Sequence, residues 1–172
     1  SLQYEGLEES KNIIYVGATP NQQIIPGIAW CLKNLGKRVF LVGSDSLYSQ
    51  VSKDLIKNYI KSMNGEVIGE YFFTQKRNEN VQNAVQAIKA GKPDVIILIN
   101  NIANIVGFFK ELRVSGIHSK ETPTMSFGIS EDDFPSIGID LIAKDYMARG
   151  YFQSIQSEEN KDFIKNMKFE YG

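Results

Sequence analysis

The sequence predicts an α/β fold in which a mainly parallel, open sheet lies between two layers of helices. Short apolar segments alternate along the chain with segments whose apolar residues recur at helical spacing, a pattern typical of parallel strands joined by helices. Two of the short segments, residues 39–42 and 95–99, are apolar without interruption, which indicates strands buried on both faces. No internal repeat or linker divides the 172 residues, so their length predicts one domain.

The chain begins with two predicted strands and the helix between them. Residues 12–17 form a short apolar segment that predicts a strand. Residues 20–35 predict a helix, because Pro20 suits a first helical turn and Gly36 stands just after the last periodic residue. Residues 38–43 predict the next strand, which is apolar through its middle.

An amphipathic helix and an alternating strand follow. The helix is predicted over residues 49–64, with Gly65 just beyond its end. Its apolar residues recur at intervals of four, namely Val51, Leu55, Tyr59 and Met63. Residues 66–73 alternate between apolar and polar side chains and predict the third strand.

The central part of the chain contains the most apolar strand of the sequence. Residues 79–90 predict a helix and residues 94–99 predict this fully buried strand. A further helix is predicted over residues 103–115 and ends at Gly116. Its apolar stripe consists of Val106, Phe109 and Leu112.

The last elements are shorter. Residues 123–127 predict a strand, and Ser130 is suited to cap a helical turn that begins at residues 131–133. The acidic run at residues 131–133 is more typical of a first helical turn than of a metal site. Residues 158–171 predict the final helix.

Strands that alternate with helices imply right-handed crossovers, and hence a Rossmann-like, three-layer α/β/α architecture. In such sheets ligands bind beyond the carboxyl ends of the strands. Polar side chains follow three of the predicted strands and could contact a small polar solute. These candidate ligand-binding residues are Ser44, Asp45, Ser46, Tyr48, Asn100, Asn101, Ser126 and Ser130.

The same positions also have a purely structural interpretation. Ser46 or Ser49 could cap the helix that follows the second strand, and Asn104 could cap the helix after the fourth. Gly128 allows the backbone between Ser126 and Ser130 to approach a ligand, or simply to turn. Both interpretations stay open from the sequence alone.

Composition argues against several classes of function. Lys and Arg together number 19 against 20 for Asp and Glu, so the chain lacks the basic excess expected of a nucleic-acid-binding protein. Its one histidine, His118, lies in a polar turn between a predicted helix and a predicted strand and is expected to be solvated, and no zinc spacing or phosphate-binding glycine loop follows a strand. We therefore expect no enzyme activity, metal or cofactor. Cys31 is the one cysteine and is expected to be a buried structural thiol.

Four segments occur in an order that resembles one family. They read YEGLE at residues 4–8, GATPNQQ at residues 17–23, GSD at residues 43–45 and YFQSI at residues 151–155. In this order they resemble the type I periplasmic solute-binding proteins, specifically the branch that binds urea and short-chain amides. The resemblance implies one lobe, spanning residues 1–172, of a two-lobe protein.

Two loops depart from the pattern of that branch. The turn after the GSD segment usually presents a tyrosine that contacts the ligand, whereas this chain has Ser46 there and Tyr48 two residues later. The loop after the fourth strand usually reads Asn-Gly-Asp-Ser, whereas residues 101–104 read NIAN, so that Ala103 replaces the carboxylate. These departures leave open a ligand that is larger or more apolar than urea.

The resemblance also implies a function, partners and a location. Proteins of this family close two lobes over a small solute without catalysis. The implied role is that of the solute-binding component of an ABC-type uptake system, which delivers urea, a short amide or an amino acid to a membrane permease. The implied location is periplasmic or extracellular, with or without a membrane anchor. The alternative is a ligand-sensing domain of an amide-type regulator or membrane receptor, with a signalling partner. We further expect the isolated lobe to self-associate through exposed apolar groups such as Leu47 and Phe127.

Overall fold

The computed structural model describes residues 11, 12, 14, 17–74, 80–100 and 102–172. The strands of the described part form one parallel sheet. They are β1 (Arg38–Ser44), β2 (Glu66–Phe73), β3 (Val95–Leu98), β4 (Thr124–Ser126) and β5 (Tyr146–Met147). Their spatial order is β2-β1-β3-β4-β5, which confirms the predicted parallel α/β fold.

The helices of the described part precede, connect and follow these strands. They are α1 (Ile24–Asn34), α2 (Leu47–Ser62), α3 (Val81–Gly91), α4 (Ile105–Val114), α5 (Phe134–Ile137), α6 (Ile139–Ile142) and α7 (Glu158–Tyr171), with a 3-10 turn at Glu131–Asp133 before α5. The strands predicted over residues 38–43, 66–73, 94–99 and 123–127 are confirmed to within a residue at each end. The final helix has the predicted bounds.

The sheet separates two apolar clusters. Val39 and Leu41 of β1 pack with side chains of α1 and α2 on one face. Phe40 and Val42 of the same strand pack with side chains of α3 and α4 on the other face. Because successive side chains of a strand point to opposite faces, burial of both sets confirms the three-layer architecture and explains why β1 is apolar throughout.

The beginning of the chain differs from its prediction. Residues 13, 15 and 16 of the strand predicted at residues 12–17 lie outside the described residues, and Asn12 and Ile14 belong to no strand. The first helix starts at Ile24 rather than at Pro20, because residues 20–23 form a turn in which the Gln22 side chain accepts a hydrogen bond from the Thr19 backbone at 2.9 Å.

The buried face of α2 is not the one predicted. Val51 and Met63 are exposed, and the buried residues of α2 are Ser49, Ser52, Ile56 and Ile60. Residues four apart drift by about 40° around a helix at each step, so a stripe with strict spacing of four cannot stay on one face over three turns. The true face is spaced by three and then by four and includes two small serines, which hydrophobic periodicity does not detect.

An ion pair holds the short elements that the sequence did not predict. Arg113 at the end of α4 forms an ion pair with Asp145, which directly precedes β5. Asp145 also accepts a hydrogen bond from the Thr124 backbone nitrogen at 2.7 Å, and the guanidinium of Arg113 donates to the carbonyl oxygens of Leu141 and Ile117 at 2.8 and 2.9 Å. Burial raises the pKa of Asp145 to about 6, against opposing effects of these partners.

Exposed apolar groups lie in part where they were expected. Leu47 is 62% exposed, as predicted, but Phe127, expected on the exposed cleft face, is buried. Its ring lies against α1, where a Cβ atom added at Gly27 would stand only 2.6 Å from Phe127 Cε1. Three aromatic side chains of α7 are exposed instead, namely Phe163, Phe169 and Tyr171.

Candidate functional site

The loops after β1, β3, β4 and β5 gather at one edge of the sheet, because the strands are parallel and their carboxyl ends point the same way. The strand order places β1 between β2 and β3. The connections that leave β1 and β3 therefore run to opposite sides, and the crevice between their carboxyl ends is the topological switch point of the sheet. This is the edge at which the sequence predicts ligand-binding residues.

Asn100 joins the two loops at the switch point. Its Oδ1 accepts a hydrogen bond from the Ser44 backbone nitrogen at 2.8 Å. Its Nδ2 donates to Ser44 Oγ at 2.6 Å and to Ser46 Oγ at 3.3 Å. Three of the predicted site residues thus form one cluster, hereafter the Asn100 cluster (Ser44, Ser46 and Asn100). Both donor hydrogens of the amide are used within it.

Ser46 also caps α2. Its Oγ accepts a hydrogen bond from the Ser49 backbone nitrogen at 3.2 Å and lies 3.1 Å from Ser49 Oγ. This confirms the capping role that the sequence allowed for Ser46, and it places the buried Ser49 in the first turn of α2. The cluster therefore connects β1, β3 and the start of α2 at one point.

Asp45 and Tyr48 flank the Asn100 cluster. Asp45 is exposed, and its Oδ1 accepts a hydrogen bond from Gln50 Nε2 at 3.1 Å. Tyr48 is half-buried and packs against the apolar cluster on the α1 and α2 face. Among the described residues the Tyr48 hydroxyl has no hydrogen-bond partner. Its polar tip therefore remains available to a solute or to water.

The remaining predicted residues differ in their environment. Ser126 is buried at the end of β4, and its Oγ accepts hydrogen bonds from the backbone nitrogens of Gly128 and Ile129 at 3.2 and 3.0 Å. Ser126 therefore shapes the turn after β4. Asn101 lies outside the described residues. Asn104 caps α4 by accepting a hydrogen bond from the Gly107 backbone nitrogen at 3.1 Å, which confirms its capping interpretation.

Ser130 lies at a polar cavity of about 200 Å³, hereafter the Ser130 cavity. The cavity is lined by Ser130, Glu131, Asp132, Arg149, Tyr151, Phe152 and Gln153. Ser130 is the N-cap residue of the 3-10 turn, as predicted, and forms a capping box with Asp133. In it the carboxylate of Asp133 accepts hydrogen bonds from the Ser130 backbone nitrogen and Oγ, at 2.8 and 3.0 Å.

A second cavity of about 440 Å³, hereafter the Gln23 cavity, is also lined by Arg149. It is lined by Ala18, Gln23, Arg149, Gly150 and Tyr151. Gln23 Nε2 donates to the carbonyl oxygens of Phe127 and Ala148 at 3.0 and 2.7 Å. This one amide therefore fixes the start of α1 against the loops that follow β4 and β5.

Of the two acidic residues that line the Ser130 cavity, Glu131 and Asp132, the first is used within the protein. The carboxylate of Glu131 accepts hydrogen bonds from the backbone nitrogens of Gln153, at 2.5 Å, and Ser154, at 3.2 Å. Hydrogen bonding from Ser154, its side chain first, lowers the pKa of Glu131. No group of three or more His, Cys, Asp or Glu side chains in the described part of the chain is placed to hold a metal ion.

Cys31 and His118, which the sequence analysis considered, lie away from this edge of the sheet. Cys31 is buried in α1, as expected, and burial raises the pKa of its thiol to about 12. His118 is exposed in the turn after α4, where its carbonyl oxygen accepts hydrogen bonds from the backbone nitrogens of Glu121 and Thr122 at 3.1 and 2.9 Å.

Sequence reasoning missed Gln23, Arg149 and Tyr151. Arg149 lies two residues after β5, so inspection of the residues just beyond each strand would have found it only if β5 had been predicted. β5 has only two residues, which is too short for any periodic signal. The segment YFQSI contains Tyr151 and carried part of the family resemblance, but the resemblance assigned it no contact with a ligand.

Comparison with known proteins gives one family and several similar folds. The sequence profile of a family described as "periplasmic binding protein domain" matches residues 1–172. A solute-binding protein of an ABC transporter from R. palustris, solved with 4-hydroxybenzoate, superposes with a TM-score of 0.75 at 22% identity over 90% of this chain. A second, from Rhodopseudomonas palustris HaA2 and solved with p-hydroxybenzoic acid, gives a TM-score of 0.76 at 21% identity over 90% of this chain.

A more distant likeness extends to an amino-acid-binding protein. The leucine-binding protein of Thermotoga maritima MSB8 gives a TM-score of 0.69 at 18% identity over 89% of this chain. The present chain spans 42% of the length of the two R. palustris proteins and 43% of the Thermotoga protein. None of the helices in the described part of the chain combines the length and the apolar character that crossing a bilayer requires.

Proposed function

The chain belongs to the periplasmic binding protein domain family, and on that premise we propose that it forms one lobe of an extracytoplasmic solute-binding protein. In this proposal the solute binds at the carboxyl edge of the sheet, and a second lobe of the same protein closes over it without catalysis. Residues 1–172 then form a single lobe of a two-lobe protein. The chain spans 42% of the length of the two solved R. palustris proteins, which supports this division.

The observation that carries the proposal is the polar carboxyl edge with its two adjoining cavities. Loops after β1, β3, β4 and β5 converge there, and cavities of about 200 and 440 Å³ open beside Arg149. Ligands of open parallel sheets bind at this edge. The exposed aromatic side chains of α7 add support, because apolar groups such as Phe163 and Phe169 would be covered by a second lobe.

The ligand-binding residues that we propose are those predicted from the sequence. Ser44, Ser46 and Asn100 hold the loops of the switch point in place, and Asp45 and Tyr48 present a carboxylate and a hydroxyl beside them. Ser130 contributes at the Ser130 cavity. Asn101 and Ser126 complete the set, Ser126 by shaping the turn after β4.

The proposed ligand class is a small polar solute, with urea, short amides and amino acids as the first candidates. The urea and amide branch is supported by the four sequence segments, whereas Ser46 and Ala103 argue for a different pocket. Ser46 caps α2 in the place where that branch presents a tyrosine. The hydroxybenzoates found in the two R. palustris proteins extend the search to aromatic acids.

Transport is favoured over sensing. The two solved R. palustris proteins are solute-binding proteins of ABC transporters, which supports delivery of the solute to a membrane permease from the periplasm or the extracellular space. The sensing alternative requires that lobe closure change contacts with a signalling partner. Recognition of a kinase, cyclase or regulator domain in the same reading frame would favour it.

A thermal-shift titration of the full two-lobe protein tests the proposal. The panel contains urea, formamide, acetamide, leucine and 4-hydroxybenzoate, because a ligand that binds only the folded state must raise the melting temperature. A saturable rise with one compound supports solute binding and identifies its class. The absence of a rise with every compound would contradict the proposed solute class.

A single substitution tests the urea and amide branch. Ala103→Asp restores the carboxylate that the branch carries in this loop, at a position that is exposed and tolerates a larger side chain. If the pocket belongs to that branch, the substituted protein should bind urea more tightly than the natural one. Asn34→Asp, which also adds a carboxylate at an exposed position, serves as the matched control.

A further inference from the structure

We propose that Arg149 anchors an anion subsite that binds the carboxylate group of the solute. The inference rests on the solute-binding role proposed above and specifies the chemistry of its ligand. Arg149 lies two residues beyond the carboxyl end of β5, between the Ser130 and Gln23 cavities, and lines both. It is exposed at the edge of the sheet where the solute is proposed to bind.

Most N–H donors of the Arg149 guanidinium form no hydrogen bond within the described part of the protein. It carries five N–H donors, and in the described part of the chain its one hydrogen bond is a long one of 3.3 Å from Nη1 to the Phe127 carbonyl oxygen. No carboxylate of the described residues lies within ion-pair distance of it. By contrast, Arg113 is paired with Asp145 and Arg38 with Glu66.

The two carboxylates that line the Ser130 cavity with Arg149 do not form an ion pair with it. The oxygens of Glu131 accept hydrogen bonds from the backbone nitrogens of Gln153 and Ser154. Asp132 is the other acidic residue of this cavity, and among the described residues no ion pair joins its carboxylate to Arg149. At the Gln23 cavity, Arg149 is the one charged residue among the described residues of the lining. The positive charge therefore faces the Gln23 cavity without a counter-ion from the described protein.

The Gln23 cavity suits an organic acid larger than urea. Its volume of about 440 Å³ exceeds what a urea-sized solute fills, and Tyr151 is among its lining residues. The Tyr151 hydroxyl donates to Asn160 Oδ1 at 2.7 Å, so the ring is held in a fixed position. Gln23 Oε1 receives no hydrogen bond from the described residues and could accept one from a hydroxyl or amine of the ligand.

Closure of a second lobe would strengthen the interaction. An arginine and a carboxylate in water attract each other weakly, whereas the same pair is held more strongly once water is excluded. Arg149 also matches a carboxylate in shape, because its planar guanidinium can form two parallel hydrogen bonds. The pair therefore contributes most in the closed, ligand-bound state.

Calorimetric titration of the full two-lobe protein with matched acids and amides tests the inference. The pairs are acetate and acetamide, isovalerate and isovaleramide, and 4-hydroxybenzoate and 4-hydroxybenzamide, with leucine and urea added. We expect the bound acid to be preferred over its own amide by roughly tenfold to a hundredfold, the range for hydrogen bonds to charged groups. Binding of the acid should weaken as salt is added.

Substitutions locate the effect at Arg149. Arg149→Gln should abolish the preference for the acid, and Arg149→Lys should restore part of it, since lysine keeps the charge but not the planar pair of donors. Arg38→Gln is the matched control, because Arg38 is also exposed but begins β1 at the opposite, amino edge of the sheet. The melting temperature of each unliganded variant checks that it is folded.

Each outcome decides the inference. An acid preference that is lost in Arg149→Gln and kept in Arg38→Gln supports it. Tighter binding of an amide or urea, or an acid preference that survives Arg149→Gln, overturns the anion subsite and leaves the solute-binding role standing. Failure of every compound to bind overturns the proposed solute class itself, and the inference falls with it.

Discussion

Replacing Asn100 with alanine should lower the free energy of unfolding by about 3 kcal/mol. The substitution removes three hydrogen bonds, to the Ser44 backbone nitrogen, Ser44 Oγ and Ser46 Oγ, each with a net contribution of about 1 kcal/mol. It also leaves the partly buried nitrogen of Ser44 without an acceptor. For a chain of this size, the loss corresponds to a fall in melting temperature of roughly 6 to 12 °C.

Urea unfolding followed by circular dichroism measures this loss. The matched control is Asn34→Ala, since the Asn34 side chain makes one exposed hydrogen bond to the Trp30 carbonyl oxygen and its removal should cost less than about 0.5 kcal/mol. Asn100→Asp should lie between the two, because it keeps the acceptor for Ser44 and lets the serine hydroxyls donate. If Asn100→Ala were no more destabilising than Asn34→Ala, the reasoning that the Asn100 cluster holds the loops together would be wrong.

Three further predictions concern the core and its titrating groups. Gly27→Ala should destabilise the protein by about 1 to 3 kcal/mol, because the new methyl group overlaps the buried Phe127 ring; equal stability in urea unfolding would contradict this. Cys31, whose thiol has a pKa raised by burial to about 12, should resist alkylation by iodoacetamide at pH 8 in the native state and react after unfolding; equal rates in both states would contradict its burial. For Asp145 the folded pKa is raised by burial from 3.8 to about 6, so its contribution to stability is present below pH 4 and is lost as the pH rises through 6. Relative to Asp145→Asn, the natural protein should lose up to about 3 kcal/mol between pH 4 and 7, and parallel stability profiles would refute the assignment.

The elements that sequence reasoning found are those with a strong local signal. β1 and β3 were found because they are buried on both faces and therefore uniformly apolar. β5 was missed because a strand of two residues is too short to show an alternating apolar pattern. It is held by the ion pair between Arg113 and Asp145, which are 32 positions apart in the sequence and give no local signal. The buried face of α2 was misjudged because Ser49 and Ser52 occupy it, and hydrophobicity gives no reason to expect serine in a core.

The sequence predicted those site residues that directly follow a predicted strand. Ser44, Ser46 and Asn100 were expected at the carboxyl edge, and the structure brings them together. That their hydrogen bonds are made to one another could not be inferred, because the relative position of two loops more than fifty residues apart depends on the whole sheet. Arg149 was missed for the same reason as β5, the strand that positions it.

The two regions of the carboxyl edge differ in how freely they can change during evolution. At the Asn100 cluster, any new side chain must replace hydrogen bonds that connect β1, β3 and α2, so folding constrains those positions before function does. Arg149 makes one long hydrogen bond, and its neighbours Ala18 and Gly150 are exposed. Specificity can therefore diverge at these positions while the scaffold stays intact, and a saturation library placed there should keep most of its members folded.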